Sequence, residues 1–295
     1  FHALDPDATV ADRGAYYLFD SDHYPFLIEN MIVINEVLAN SGAGQVDWIE
    51  IHNRSNEMTD ISGWFLSDDG GELTKFCIPD GTMIPAGGFI AFYEDIHFGE
   101  ESTDPGRLVP FSLSDTGETV YLSSGSGVIL TDYRFEEKFG PSLEGQTLGY
   151  YYKPSSGTYN FIAQQDATLA QKNGAPVVGP IVISEIMYHP SDENASEYIE
   201  LLNISDTPVS LYDFEKAAPW WLADGVVYAF QPNVVLQPGE RMLVVEDLAK
   251  LGPYSFNPSI RKYQWSSGRL NDGGEAVQLN RPGPSRGDGS RSYVR

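Results

Sequence analysis

The stretch Ile32-Val-Ile-Asn-Glu-Val37 returns later in the chain as Ile181-Val-Ile-Ser-Glu-Ile186. Both copies are rich in β-branched residues, which favour strands. Asp47-Trp-Ile-Glu-Ile-His-Asn53 follows the first copy, and Glu197-Tyr-Ile-Glu-Leu-Leu-Asn203 follows the second at a similar distance. Two strand-like motifs that recur in the same order indicate that a whole structural unit is duplicated.

Two further motifs extend the repeat towards the C-terminus. They are Ile84-Pro-Ala-Gly-Gly-Phe-Ile-Ala-Phe-Tyr-Glu-Asp95 with its counterpart Leu236-Gln-Pro-Gly-Glu-Arg-Met-Leu-Val-Val-Glu-Asp247, and Leu113-Ser-Asp-Thr-Gly-Glu-Thr-Val-Tyr-Leu122 with its counterpart Leu270-Asn-Asp-Gly-Gly-Glu-Ala-Val-Gln-Leu279. The offset grows from 149 (181 − 32) to 157 (270 − 113), which predicts insertions in loops, chiefly between Leu211 and Trp221. Because this period is too long for a solenoid, the repeat predicts two tandem domains.

Turn-forming residues separate the short strand-like runs. Asn40-Ser-Gly, Asp68-Asp-Gly-Gly and Pro238-Gly239 are examples, and the chain holds 29 Gly and 19 Pro. Short strands with frequent turns are typical of all-β sandwiches. We therefore divide the chain into an N-terminal segment (1–30), a first domain (31–175), a linker (176–180) and a second domain (181–295).

The charge balance limits the classes of partner. Lys plus Arg total 18 and Asp plus Glu total 42, so the formal net charge is 18 − 42 = −24. Such a surface repels phosphate backbones and anionic membranes, and it lacks the clustered Lys and Arg that nucleic-acid binding needs. No apolar run reaches the roughly 18 residues of a membrane-spanning segment. We expect neither nucleic-acid binding nor membrane insertion.

Motifs of catalysis and metal binding are absent from the sequence. Cys77 is the single cysteine, so an intramolecular disulfide and a cysteine-type zinc cluster are excluded. The five histidines have no metal-ligand spacing, and no nucleophile elbow, phosphate loop or dinucleotide fingerprint occurs. We predict that the chain is not an enzyme.

The order of the repeated motifs resembles that of lamin tail domains, most closely the secreted bacterial members. In the first copy Ile61-Ser-Gly-Trp-Phe-Leu-Ser-Asp68 adds to this likeness. The resemblance covers about residues 31–175 and 180–295, and it implies immunoglobulin-like β-sandwiches without catalytic activity. It also implies a secreted or cell-surface location, because bacterial members are appended to larger extracellular proteins.

The second copy departs from the first at its C-terminal end. The first continues well past Leu122, whereas the second reaches Arg295 about where the next segment of the first would lie. We therefore expect a C-terminally truncated second sandwich with an open edge beside Ala276–Leu279. The missing strand is either cut away or disordered, or it is donated by a neighbouring chain, for which residues 1–30 are the candidate. This N-terminal segment, around Asp5–Tyr17, is similar to the closing part of some secreted right-handed parallel β-helices.

Acidic side chains form two groups of candidates. Glu36 and Glu50 recur as Glu185 and Glu200, and we interpret them as residues that hold loops, since a catalytic pair also needs a pocket. The candidate calcium ligands are Asp5, Asp7, Asp20, Asp22, Asp68 and Asp69, because Ca²⁺ takes oxygen ligands in flexible loops. The alternative is that these aspartates simply populate turns. No other cofactor is expected.

Aromatic residues supply a candidate binding surface. Its members are Tyr150, Tyr151, Tyr152, Trp220, Trp221 and Trp265. The alternative for the tryptophans is that Trp64 and one of Trp220 or Trp221 occupy equivalent core positions. In addition, three asparagines head an Asn-x-Ser glycosylation sequence, namely Asn53, Asn194 and Asn203.

The predicted cores follow from strand alternation. They comprise Ile32, Ile34, Trp48 or Ile49, Ile51, Trp64, Phe65, Val120 and Leu122 in the first sandwich, and Ile181, Ile183, Ile199, Leu201, Val277 and Leu279 in the second. If Ile49 and Ile51 point inward, Trp48 points outward.

Three functions remain open on the sequence alone. The leading hypothesis is a non-catalytic extracellular interaction or structural module that binds a protein or self-assembles into a surface layer or filament. The alternative is a polysaccharide-binding accessory module of a larger secreted enzyme, suggested by the aromatic residues. The third is a hydrolase with an unrecognised site at Glu36 and Glu50.

Overall fold

The computed structural model describes residues 31–127, 129–154, 157–192, 194–252, 254, 256–286 and 290–294. Of the described residues, 3% are helical and 44% lie in strands, which confirms the predicted all-β fold. The candidate ligands Asp5, Asp7, Asp20 and Asp22 lie outside the described residues, as does the segment that resembles a β-helix.

The first sandwich contains two main sheets. Its strands are β1 (Ile32–Leu38), β2 (Trp48–Asn53), β3 (Thr59–Asp60), β4 (Phe65–Ser67), β5 (Phe76–Cys77), β6 (Met83–Ile84), β7 (Phe89–Tyr93), β8 (Thr119–Ser126), β9 (Ile129–Lys138), β10 (Leu148–Lys153) and β11 (Thr158–Ala163). One sheet has the order β11-β10-β1-β2-β7 and the other the order β5-β4-β8-β9, while β3 pairs with β6. A single π-helical turn, Glu94–Phe98, follows β7.

The second sandwich repeats this plan with different additions. Its strands are β12 (Ile181–Met187), β13 (Tyr198–Asn203), β14 (Val209–Ser210), β15 (Tyr212–Asp213), β16 (Ala218–Pro219), β17 (Trp221–Asp224), β18 (Val226–Ala229), β19 (Val235–Leu236), β20 (Arg241–Val245), β21 (Arg261–Gln264), β22 (Ser267–Gly268), β23 (Val277–Ser285) and β24 (Arg291–Val294). The main sheets are β12-β13-β20-β21 and β22-β18-β17-β23-β24, with β14–β19 and β15–β16 as small pairs. The β15–β16 hairpin lies where the drifting offset predicted an insertion.

The repeated motifs adopt the same register in both sandwiches. Glu36 lies opposite Glu50 in the β1–β2 pair, and Glu185 lies opposite Glu200 in the β12–β13 pair. Each pair carries a β-bulge directly before the first of these glutamates. A bulge places one unpaired residue in the strand and bends it. The duplicated sequence has therefore kept an irregular feature as well as the regular strands.

The two cores confirm most of the alternation argument. Ile32, Ile34, Ile49, Ile51, Phe65, Val120 and Leu122 are buried in the first sandwich, and Ile181, Ile199 and Leu201 in the second. The exceptions are only partly buried against these cores, namely Trp64, Trp220, Ile183, Val277 and Leu279.

Trp48 points away from the first core and yet is only 4% exposed. Its counterpart Tyr198 packs with Leu243 and Val245 in a separate cluster on the outer face of the second sheet. Alternation gave the direction of the Trp48 side chain correctly but could not show that the outer face of the sheet is also covered.

The predicted place of the open edge is wrong. Val277–Ser285 has a neighbour on both sides, since β17 pairs with one edge and β24 with the other. The edge that differs between the two sandwiches in their described residues is that of β12, which pairs only with β13, whereas its counterpart β1 lies between β2 and β10. The second sandwich therefore differs from the first by lacking, in its described part, an equivalent of the β10–β11 hairpin.

Candidate interaction edge

The opposed glutamates of the first sandwich lie beneath a loop. Glu36 and Glu50 are 0% and 1% exposed, although both stand on neighbouring strands at the same level. Two buried carboxylates so close together require hydrogen-bond donors, because burial otherwise penalises their charge heavily. The donors come from residues 168–173, which we call the closing loop.

Backbone and side-chain groups of the closing loop reach both carboxylates. Thr168 donates from its backbone N at 3.1 Å and from Oγ1 at 2.7 Å to Glu36 Oε2. Ala170 donates its backbone N–H to Glu50 Oε2 at 2.5 Å. The carboxylates thus hold a loop in place, as the sequence interpretation expected.

Two asparagines complete this network. Asn35 Nδ2 donates to Glu50 Oε1 at 2.8 Å and to Asn173 Oδ1 at 2.6 Å. Asn173 in turn donates from Nδ2 to the Asn35 carbonyl at 3.1 Å and to the Tyr150 carbonyl at 2.9 Å. The closing loop is therefore tied to the bulge of β1 and to β10 together.

Burial nevertheless governs the protonation of this site. It raises the pKa of Glu50 to about 7, outweighing the hydrogen bonds from Ala170 and Asn35 that lower the pKa, while the nearby Glu36 charge adds to the rise. A carboxyl with a pKa near neutrality can exchange protons. Its oxygens, however, are already committed to the loop, which favours a structural role.

The same glutamates in the second sandwich have other partners. Tyr198 donates its hydroxyl to Glu185 Oε1 at 2.6 Å. Glu200 Oε1 accepts from Ser184 Oγ at 2.8 Å and from Arg241 Nε at 3.0 Å. In the described part of this sandwich, no loop lies over the carboxylates.

The residues of β12 are more exposed than the equivalent residues of β1. Every residue of β1 is buried, whereas Ser184, Glu185 and Ile186 of β12 are exposed, with Ile186 at 41%. The open edge of a strand that is paired on one side only can accept another strand through its free N–H and C=O groups. This candidate interaction edge, Ile181–Met187, was missed by the sequence argument because the missing neighbour is not adjacent in the sequence.

The remaining predicted acidic ligands serve the local structure. Asp68 forms an ion pair with Lys75 at 2.7 Å, and Asp69 Oδ1 accepts from the Gly71 backbone N at 2.8 Å. A pocket of about 280 Å³ lies elsewhere and is lined in part by Asp47 and Glu94. No group of three or more His, Cys, Asp or Glu in the described ranges is arranged to hold a metal ion.

The first three predicted aromatic residues lie together on β10. Tyr150 donates its hydroxyl to Glu137 Oε2 at 2.5 Å, and the Arg54 guanidinium stands 4.5 Å from its ring centre. Tyr151 is half-buried, and Tyr152 is exposed and packs against Tyr159. Tyr150 therefore has structural partners, and Tyr152 is the freest of the three.

The three tryptophans of the second sandwich do not form one surface. Trp265 is buried at 6% exposure, so its ring is not available as part of a binding surface, and Trp220 packs against the same core. Trp221 is half-buried, lies 5.5 Å from the Tyr293 ring and lines a groove of about 720 Å³. Phe161 of the first sandwich lines the same groove.

Two of the Asn-x-Ser asparagines are structural. Asn53 and Asn203 end equivalent strands and are 0% exposed. Asn203 Nδ2 donates to the carbonyls of Thr207 at 2.8 Å and Leu236 at 3.0 Å, and Asn53 makes the matching pair of bonds. Their conservation between the copies therefore reflects the fold.

A lamin tail domain family model matches residues 29–137 and again residues 175–291. The chain belongs to the lamin tail domain family. Both lamin tail domains have the immunoglobulin-like sandwich of that family. The β10–β11 hairpin and the closing loop fall between the two matched regions. No curated protein and no solved structure matches the chain.

The helices of the described residues are short, and none has the length and apolar character needed to cross a bilayer.

Proposed function

We propose that this chain is a non-catalytic interaction module, secreted or held at the cell surface, whose second lamin tail domain binds a protein partner by strand addition. Residues 31–175 and 181–295 would be the two modules, joined by residues 176–180. One observation carries the proposal: β12 has no neighbour on its second side in the described structure, whereas the equivalent strand β1 is paired there with β10.

The first domain shows where a strand can join. β10 pairs with β1 at Glu36 and Val37, directly after the bulge. The bulge is therefore compatible with pairing, although bulges often protect exposed edges. The equivalent stretch of β12 is Glu185–Met187, where Ile186 is exposed. Main-chain hydrogen bonds would supply affinity, and Ile186 would provide an apolar contact.

A non-catalytic role is supported by the carboxylates. Glu36 and Glu50 motivated the hydrolase hypothesis, but their oxygens accept hydrogen bonds from the closing loop. A catalytic pair needs a free carboxylate that can reach a substrate. The function that fits this pair is to hold a segment of chain.

Pairing between two copies through β12 is disfavoured by charge. An antiparallel β12–β12 contact would bring Glu185 of each copy near that of the other, in chains that each carry a net charge of −24. Like charges across a strand pair are destabilising. A neutral or basic strand from another protein is the better occupant.

The test uses the full chain and a fluorescent peptide of residues 146–175, the segment that covers β1 in the first domain. Binding is followed by fluorescence anisotropy. We expect the peptide to bind, and Ile186→Lys to weaken binding at least about tenfold, because a lysine on an edge opposes strand addition. Val227→Lys is the matched control, since Val227 is exposed on another sheet of the same domain.

Two outcomes would overturn the proposal. One is the absence of peptide binding, or binding that Ile186→Lys leaves unchanged. The other is a dimer in analytical ultracentrifugation that Ile186→Lys dissociates, because a second copy would then be the occupant.

A second candidate function is polysaccharide binding, favoured by the groove that contains Trp221, Tyr293, Asn280 and Gln278. Aromatic rings beside amide side chains suit sugars, which offer both apolar faces and hydroxyls. Titration calorimetry with soluble polysaccharides tests this. Heat of binding that Trp221→Ala removes would support it, and the absence of heat for the wild-type chain would exclude it for the sugars used.

A further inference from the structure

In the first domain, a strand and a loop together cover β1, the counterpart of β12. These two parts are the strand β10, which pairs with β1, and the closing loop, which covers the glutamates. Hydrogen bonds to charged groups contribute more than those between neutral groups. The loop is therefore expected to add affinity and selectivity that a strand alone would not supply.

Gly149 explains how the strand and the loop fit together. It lies opposite Glu36, and a Cβ at this position would stand 2.8 Å from Asn173 Nδ2 and 3.3 Å from Glu36 Cγ. Asn173 is held there by the carbonyls of Asn35 and Tyr150. A side chain on the strand at this register would displace Asn173 from these hydrogen bonds, so glycine lets the strand and the loop be seated together.

The second domain keeps the receiving half of this arrangement. Glu185 and Glu200 occupy the same register after the same bulge. Glu185 is exposed, and its Tyr198 partner occupies Oε1. The position equivalent to Asn35 is Ser184, which is exposed and shorter. The carboxylates thus stand at the register from which Glu36 and Glu50 accept donors in the first domain, and Glu200 accepts from Ser184 and Arg241 through Oε1.

On the basis of the proposed function, we infer that the partner of β12 is a β-hairpin followed by a loop that donates backbone N–H groups to Glu185 and Glu200. Its strand has glycine opposite Glu185 and an apolar residue opposite Ile186, where Leu148 faces Val37 in the first domain. The carboxylates select the loop, and the edge selects the strand.

Charge supports this choice of occupant. Residues 146–175 contain Lys153, Lys172 and Asp166 as their charged side chains, a net charge of 2 − 1 = +1, in a chain whose total is −24. A segment that lies on two glutamates gains from carrying little negative charge of its own. The same chemistry, a neutral to weakly basic hairpin with its loop, is expected of a partner from another protein.

The experiment compares three peptides on the full chain by fluorescence anisotropy. The first covers residues 146–175, the second covers residues 146–165 and lacks the closing loop, and the third is 146–175 with Gly149→Val. We expect the second and third to bind at least about tenfold more weakly than the first, because they lose charge-assisted hydrogen bonds or cannot seat the loop.

A chain variant links this loss to the carboxylate. Glu185→Gln should weaken binding of the 146–175 peptide and leave the 146–165 peptide unchanged, since only the former brings the loop. Tyr198 can still donate to the glutamine oxygen, so the domain stays folded. Glu215→Gln is the control, because Glu215 is exposed on an insertion of the same domain.

The outcomes separate this inference from the proposed function. If both peptides bind equally and Ile186→Lys weakens both, strand addition stands and the role of the loop is refuted. If the loop-dependent difference persists in Glu185→Gln, recognition by that carboxylate is refuted. If no peptide binds, the proposed function itself fails.

Discussion

Replacing Asn203 with alanine should destabilise the second lamin tail domain far more than its place at a strand end would indicate. The side chain is fully buried, donates to two backbone carbonyls and accepts from the Ser205 backbone N at 2.9 Å. Each buried polar group that loses its partner costs about 1–3 kcal/mol, and the Leu236 carbonyl and the Asn203 cavity are both in the interior. We expect a loss of about 3–5 kcal/mol in the free energy of unfolding.

Urea unfolding, followed by tryptophan fluorescence and circular dichroism, measures this change. Asn194→Ala is the matched control, because Asn194 also heads an Asn-x-Ser sequence but is exposed. It should change stability by less than about 0.5 kcal/mol. Asn53→Ala should lower the free energy of unfolding of the first domain by an amount similar to the effect of Asn203→Ala on the second. If Asn203→Ala and Asn194→Ala have equal effects, the buried network does not anchor this strand end.

Three further predictions concern the first domain. Burial raises the pKa of Glu50 from 4.5 to about 7, so the folded chain retains a proton that the unfolded chain loses between these pH values. The free energy of unfolding should therefore fall as the pH rises from 4.5 to about 7. Glu50→Gln should reduce that fall when urea unfolding is measured across this pH range. Gly117→Ala should destabilise the first domain by more than about 3 kcal/mol in thermal unfolding, since the new Cβ would meet backbone atoms at 2.6 Å. Gly274→Ala at the equivalent turn of the second domain has space for the Cβ and should cost about 1 kcal/mol. Equal losses in the two variants would contradict this. Tyr133→Phe should cost about 1–3 kcal/mol in urea, because the buried carbonyl of Ile32 loses its hydroxyl donor, and an unchanged midpoint would show that this bond adds nothing.

The sequence determined the architecture because the duplicated motifs encode local structure. β-Branched runs, turn residues and their order specified the paired strands, and the structure places Glu36 opposite Glu50 as it places Glu185 opposite Glu200. Alternation also identified most core residues. These properties depend on neighbours within a strand or turn, which a single sequence displays directly.

Exposure of the large aromatic residues was less accessible to the sequence. Trp265 reads as a surface residue between Gln264 and Ser266, yet it is 6% exposed. Trp48 points outward and is also buried. A strand has two faces, and whether its outer face meets solvent depends on segments distant in the sequence.

The location of the unpaired edge was decided by tertiary structure alone. The segments after Leu122 showed that the second copy is shorter, but they predicted that the unpaired edge lies beside Val277. In the first domain the additional hairpin does not extend the sheet of the preceding strand β9; it crosses to the other sheet and pairs with β1, more than 100 residues earlier. The order of motifs in the sequence shows that the second copy lacks a segment equivalent to the β10–β11 hairpin. Only the tertiary structure shows that this hairpin crosses to the sheet of β1, so that β12 is the strand left without that neighbour.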